Sequence, residues 1–234
     1  MGEVVQTASP FVFFEEQTVK VVSVNVGLPQ ALIVKDRVIE SAICKRPVAG
    51  PVKITHTNLA GDLQGEIRHR GQKRAVSAYP SEHYVFWRAE LSEPELAFGA
   101  FGENLTTEGV VDQDVFIGDR WQVGSAVLTV TQPRIPCFKL AARFNRDDII
   151  ERVLNARRQG FFFAVEQEGE VEAGDSIRLI DRNPKSISVV DLTSLYLGRS
   201  TEEQLLQRAM DLDLPTKWKA KFAQRAAAGL SPSR

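Results

Sequence analysis

From Lys20 to Arg182 the chain consists largely of short runs of β-branched and aromatic residues, each cut off within a few positions by Gly, Pro or charged turn residues. Runs this short predict many short strands, and turn signals at this spacing predict an antiparallel barrel or a sandwich. Val21–Val26 opens the series. Ala31–Val34 and Val38–Ile43 follow as a hairpin turned at Lys35-Asp36-Arg37. Val52–Thr55, Arg74–Ala78, Val115–Ile117, Gly124–Val130, Phe161–Glu166 and Asp175–Ile180 continue it.

Two segments inside this stretch have helical rather than alternating periodicity. Ser81–Leu91 carries Tyr84, Trp87 and Leu91 on one face behind Ser81 as N-cap. Asp147–Gln159 has the stripe Ile149, Ile150, Val153 and Leu154, with Gly160 as its stop. After Asn183-Pro184 the pattern becomes wholly helical. Ser188 caps a helix that stops at Gly198, the capping box Ser200-Thr-Glu-Glu203 opens a second, and Pro215 opens a third carrying Trp218 and Phe222. The expected organisation is an arm at residues 1–19, a β domain at 20–183 and three helices at 184–234. About 45 residues make a marginal core, so the helices are expected to dock on the β domain or on a partner subunit.

Charge and cysteine content narrow the function. Lys plus Arg is 29 against 30 Asp plus Glu. No global basic excess exists to hold nucleic acid, and any anion site must be local. Cys44 and Cys137 are too few for a disulfide framework, and no Cys/His cluster spells structural zinc. That count suits a reducing cytoplasm. Met1–Glu16 lacks a basic n-region and reads as no secretory signal, and the apolar run Phe11–Phe14 is too short to span a bilayer.

Cys137 has the most unusual setting, Thr131-Gln-Pro-Arg-Ile-Pro-Cys-Phe-Lys139. Pro133 and Pro136 restrict the backbone before the sulfur, which places the thiol at a strand end or loop rim. Arg134 and Lys139 bracket it, and nearby cations favour the thiolate, the form that ligates soft metals. An inert buried cysteine is the competing reading.

Phe101-Gly-Glu-Asn-Leu-Thr-Thr-Glu-Gly109, Ile117-Gly-Asp-Arg120, Gly124-Ser125 and Gln132-Pro-Arg-Ile-Pro-Cys137 occur in this order. Pro47–Val52, Gly61-Asp62, Tyr79–Trp87 and Ala173-Gly-Asp175 accompany them. The set resembles the MOSC domain, named for the C-terminal part of molybdenum cofactor sulfurase. It is most similar to stand-alone bacterial members linked to detoxifying N-hydroxylated bases such as 6-hydroxylaminopurine, which also append a small α-domain. The resemblance implies a β-barrel with peripheral helices, a bound molybdenum cofactor (Mo-molybdopterin), and Cys137 as molybdenum ligand or sulfur carrier. Electrons for reducing an N-hydroxyl group would come from a separate reductase, because the chain shows no flavin fingerprint or iron–sulfur cysteine set.

A phosphate-tailed pterin needs fixed cations. The resemblance places Lys45 and Arg46 beside the cofactor; without it they read as a solvated basic turn. Arg68-His-Arg-Gly-Gln-Lys-Arg74 is the densest basic stretch. There His69 falls on the family histidine, as proton donor or phosphate contact, with Arg68 and Arg70 as cofactor contacts and a charged surface loop as the plain alternative. Asn104 would bond pterin or substrate, and Glu103 would orient a cation such as Arg134; a self-bonded turn is the structural alternative. His83 reads as a core or interface histidine. Cys44 reads as buried and incidental.

Three functions follow. The first is a molybdenum-dependent reductase of N-hydroxylated compounds with Cys137 as ligand. The second is a sulfur carrier or transferase using a Cys137 persulfide. The third is a non-enzymatic cofactor-binding scaffold docked through the helices. A homodimer is expected, because the helices need apolar surface to cover.

Overall fold

The computed structural model describes residues 19–34, 37–63 and 72–227. Twelve strands run through it in chain order. They are β1 (Lys20–Val26), β2 (Gln30–Val34), β3 (Arg37–Ser41), β4 (Arg46–Val48), β5 (Val52–Ile54) and β6 (Val76–Pro80). The second half comprises β7 (Leu105–Glu108), β8 (Arg120–Val123), β9 (Ala126–Pro133), β10 (Phe161–Gln167), β11 (Gly169–Val171) and β12 (Ile177–Asp181). Helices α1 (Glu82–Glu90), α2 (Phe138–Phe144) and α3 (Ile149–Ala156) lie among them, and α4 (Val189–Tyr196), α5 (Glu203–Asp211) and α6 (Thr216–Ala227) follow.

Eight strands form one sheet in the order β12-β8-β9-β10-β6-β7-β1-β4. β5 pairs with β11, and β2 with β3 as a hairpin. The proposed hairpin turn at Lys35-Asp36 falls outside the described residues, but Val34 pairs with Arg37 across it. Two features set this sheet apart from the antiparallel barrel expected from the sequence. β1 meets the chain entering β12 through the Lys20–Ser176 bridge and flanking backbone bonds (Val21 N to Asp175 O, 2.9 Å; Ile177 N to Val19 O, 2.7 Å), but among the described residues no strand ladder closes the sheet. β6 and β7 pair in parallel. Their connection carries α1 and the segment to Asn104, longer than the dozen or so residues that a parallel crossover requires.

Local chemistry also moves several helix ends. Ser81 precedes α1 without a side-chain cap bond. The Ser200–Glu203 capping box does not form: Glu202 is the N-cap of α5, and the Ser200 hydroxyl accepts from the Glu202 amide instead. Ser188 does cap α4, accepting from the Asp191 amide at 3.1 Å. α3 stops at Arg157, which adopts a left-handed conformation (φ 56°), rather than running to Gly160. Val115–Ile117 forms no strand, only a bridge from Phe116 to Ser188.

Two apolar clusters organise the interior. One joins the sheet residues Val24, Val76, Leu128 and Phe161 to Leu192, Leu195, Leu206, Trp218 and Phe222 of the last three helices. Those helices are therefore continuous with the sheet's core, which supplies the apolar burial a three-helix segment lacks alone. The other cluster gathers Tyr79, Tyr84, Trp87, Phe101, Leu140, Ile149 and Val153 around α1, α2 and α3.

Candidate functional site

A cavity of about 380 Å³ opens where the two clusters meet, lined by Tyr79, Phe101, Leu140 and Val153 from one and Trp218 from the other. The end of β9 builds its centre. Pro133 is the last residue of that strand and pairs with Phe161, and the Arg134 amide still donates to Gly160 O at 3.0 Å. Ile135 and Pro136 then lead the chain out of the sheet, and Cys137, extended at φ −132°, is the N-cap of α2. Its free, half-buried thiol lines the cavity.

Five cationic side chains line the same space: Lys45, Arg74, Arg134, Lys139 and Lys217. No carboxylate does, among the described residues. In a partly dry cavity such a surplus makes a site for an anion.

Lys45 enters from the end of the β2–β3 hairpin and is held from behind. Its ammonium bonds Asp62, and the two side chains are 7% and 1% exposed. Asp62 also accepts from the Gly27 amide (2.8 Å) and from Asn104 Nδ2 (2.9 Å). Burial pulls the Lys45 ammonium below its ordinary pKa, and Asp62 opposes that pull. Asn104 lines the cavity too, but its side chain is spent on the framework. Its Oδ1 accepts from the Ser77 amide (3.1 Å) and hydroxyl (2.9 Å), while Nδ2 holds Asp62. It thereby stitches β6 to the start of β7 rather than bonding its own backbone.

Two expected site residues lie elsewhere. Arg46 is exposed at the start of β4 and absent from the lining, because strand alternation turns it away from Lys45's direction. Glu103 is wholly buried behind the cavity wall, not in it. Its Oε1 accepts from Tyr84 Oη, the Gly99 amide (2.8 Å) and Thr106 Oγ1 (3.0 Å). Arg134 donates instead to Phe101 O. Burial raises the Glu103 carboxyl above its usual range, and its Oε2 has no partner. Gly102 lets this loop press inward: at φ +78°, an added Cβ would lie 2.6 Å from Ile43 Cγ1 and 3.1 Å from Arg134 Nη2.

Arg68, His69 and Arg70 lie outside the described residues. His83 is buried, bonded to Asp112 at 2.5 Å and facing Arg158 Nη1 at 3.0 Å, outside the cavity lining. Cys44 is half-buried and also outside it.

Sequence reasoning missed Asp62, Arg74, Gln132, Tyr196 and Lys217 as site residues. Arg74 ends a 3₁₀ turn (Gln72–Arg74). With the Gln132 carboxamide oxygen turned toward it, Arg74 donates to that oxygen from Nε (2.8 Å) and Nη2 (3.2 Å). Burial lowers the guanidinium's pKa, against the pull of Tyr196 and Cys137. Tyr196 and Trp218 pack with ring centroids 4.2 Å apart.

No described residues form a cluster of three or more metal-ligating His, Cys, Asp or Glu groups. Among the described residues Cys137 is the one sulfur in the lining, and a metal held by it would bring most of its own ligands. One soft sulfur, several cations and a glycine-backed wall fit an anionic metal cofactor of that kind. No helix among the described residues is long and apolar enough to cross a membrane.

The profile of the MOSC domain matches residues 65–178. The uncharacterized protein YflK of Bacillus subtilis is 36% identical over 213 residues, covering 90% of this chain and 96% of its own. The crystal structure of YiiM from Geobacillus stearothermophilus superposes with a TM-score of 0.73 at 32% identity, covering 88% of this chain and 98% of that one. A protein named reductase from Gibberella moniliformis is 37% identical over 179 residues, covering 75% of this chain but only 32% of the longer relative.

Proposed function

The chain belongs to the MOSC domain family, and on that premise we propose that it is a molybdenum-cofactor-dependent reductase of N-hydroxylated compounds, with Cys137 as the metal's protein ligand. The observation that carries this reading is the Cys137 thiol on a cavity lined, among the described residues, by five cationic side chains and no carboxylate. A metal with one protein thiolate and a phosphate-bearing organic ligand matches that donor set.

The cofactor supplies two-electron chemistry at the metal. The protein supplies binding, orientation and charge. Lys45, Arg134 and Lys139 would hold the anionic tail, with Asp62 fixing Lys45. The overall change is R–NHOH plus two electrons and two protons giving R–NH₂ plus water. Nothing in the chain's own donor set stores those electrons, so they come from a separate reductase. The Gibberella relative, in which the similar segment is about a third of a longer chain called a reductase, supports that division of labour. Apolar lining from Ile135, Phe162 and Trp218 suits a small heteroaromatic substrate. A cytoplasmic homodimer completes the proposal.

Protein loaded with cofactor and given a chemical reductant should convert 6-hydroxylaminopurine to adenine, and Cys137→Ala should abolish this. Full turnover by Cys137→Ala removes the ligand assignment. A persulfide on Cys137 in native protein without molybdenum would replace this reading with sulfur transfer.

A further inference from the structure

The cavity holds more positive charge than the proposed cofactor tail accounts for, and the charge falls into two groups. Asp62 balances Lys45 directly, and Arg134 donates to Phe101 O. Arg74 instead stands against Gln132 and Phe162. Among the described residues its guanidinium bonds a neutral carboxamide, that of Gln132, and it lies 5.7 Å from the centre of the Phe162 ring. Lys217, exposed on α6 beside Trp218, has no carboxylate partner among the described residues. This second group is assembled mostly by the C-terminal helices. Lys73, the neighbour of Arg74, bonds Asp213 at 2.7 Å and so ties the turn to the approach of α6.

The aromatic part of this end is fixed. Tyr196 is packed by Trp218 at 4.2 Å, and Lys221 Nζ stands 4.1 Å from its ring centre. No described residue hydrogen-bonds the Tyr196 hydroxyl, although Tyr196 lines the cavity. The guanidinium edge that Gln132 leaves over, a phenol and an ammonium beside an indole make a recognition set for an aromatic compound bearing an oxyanion.

We propose that Arg74, Tyr196, Lys217 and Trp218 form a substrate subsite for N-hydroxylated aromatic compounds that carry a phosphate or carboxylate group. This rests on the reductase reading for its chemistry and on the charge pattern for its selectivity. The bound oxyanion takes the Nη1/Nη2 edge of Arg74, which Gln132 leaves over, together with the Lys217 ammonium, and the ring lies toward Trp218. The N-hydroxyl end is thereby directed to Cys137, which lines the same cavity.

Two measurements test this separately from the reductase reading. In metal-free protein, adenosine 5′-monophosphate should bind at least ten-fold more tightly than adenosine by calorimetry. Arg74→Gln and Lys217→Gln should each weaken the nucleotide five-fold or more, with Arg74→Lys recovering part of the loss. Lys217 is exposed, so its variant folds. In cofactor-loaded protein with a chemical reductant, 4-carboxybenzamidoxime should show a lower KM than benzamidoxime, and Lys217→Gln should shrink that ratio at least five-fold. Adenosine 5′-monophosphate should raise the KM of either substrate competitively. Nucleotide binding that falls in Arg134→Gln and not in Arg74→Gln or Lys217→Gln places the anion at the cofactor end and overturns the subsite. Equal affinity for nucleotide and nucleoside also overturns it. Failure to reduce either amidoxime, with the binding pattern intact, counts against the reductase reading alone. The carboxylate and phosphate arms together show which oxyanion the subsite prefers.

Discussion

Replacing Asp62 with Asn tests whether Lys45 is a buried ammonium held for the cavity. The Asp62 carboxylate accepts from Lys45, the Gly27 amide and Asn104 Nδ2, one oxygen taking the first two and the other the third. Asn keeps the shape but turns one of those oxygens into an NH₂, which faces a donor in either orientation. The variant also leaves Lys45, 7% exposed, without its counter-charge. Removing one partner of a buried ion pair costs about 3–5 kcal/mol. At about 2–4 °C per kcal/mol for a chain of this size, Tm should fall by roughly 6–20 °C. Burial already lowers the Lys45 pKa against the opposing pull of Asp62, so in Asp62→Asn the ammonium loses its proton at a lower pH. Urea unfolding of metal-free protein measures the cost. The double variant Asp62→Asn/Lys45→Met removes both charges, and its cost should fall short of the sum of the singles by about 2 kcal/mol. A cost below about 1 kcal/mol for Asp62→Asn, or strict additivity, refutes the argument.

Glu103 predicts a pH dependence. Its folded-state pKa is raised above 4.5, so the stability it contributes is fully present below that value and falls as pH rises through the raised one. Glu103→Gln should flatten that decline in a urea series across pH; superimposable curves would contradict the assignment. Trp218→Ala, at a position 3% exposed, should cost about 3–5 kcal/mol and leave a single unfolding transition, because its helix shares the sheet's core; a separate early transition of the helices would contradict this. Gly102→Ala meets Ile43 and a left-handed backbone, so it should cost more than about 1 kcal/mol and lower cofactor retention in a gel-filtered preparation.

Much of the sheet was legible because its strands carry their own signal. β1, β9 and β10 are dense in β-branched or aromatic residues, and each appears where that chemistry placed it. β7 was not legible: Leu105-Thr-Thr-Glu108 read as part of a glycine-flanked motif, and its parallel partner β6 lies across a long crossover. α2 was missed because Phe138–Phe144 is too short for periodicity to declare itself. Cys137, Lys45, Arg134 and Lys139 were found through local charge and proline spacing together with family resemblance. Arg74, Gln132, Tyr196 and Lys217 come from four separate elements. Each reads alone as an ordinary helix, turn or strand residue, and only the docking of α4 beside β9, with α6 packed on α4, brings them to one cavity. Asp62 was visible only as a two-residue motif match, since nothing local says that its carboxylate reaches Lys45.

Metal content tests the central assignment most directly. Protein purified from a host able to make the molybdenum cofactor should carry about one molybdenum per chain by mass spectrometry of the elements, and Cys137→Ala prepared alongside should carry little. Wild-type protein free of molybdenum, or Cys137→Ala loaded to the same level, would contradict a thiolate-anchored metal in this cavity.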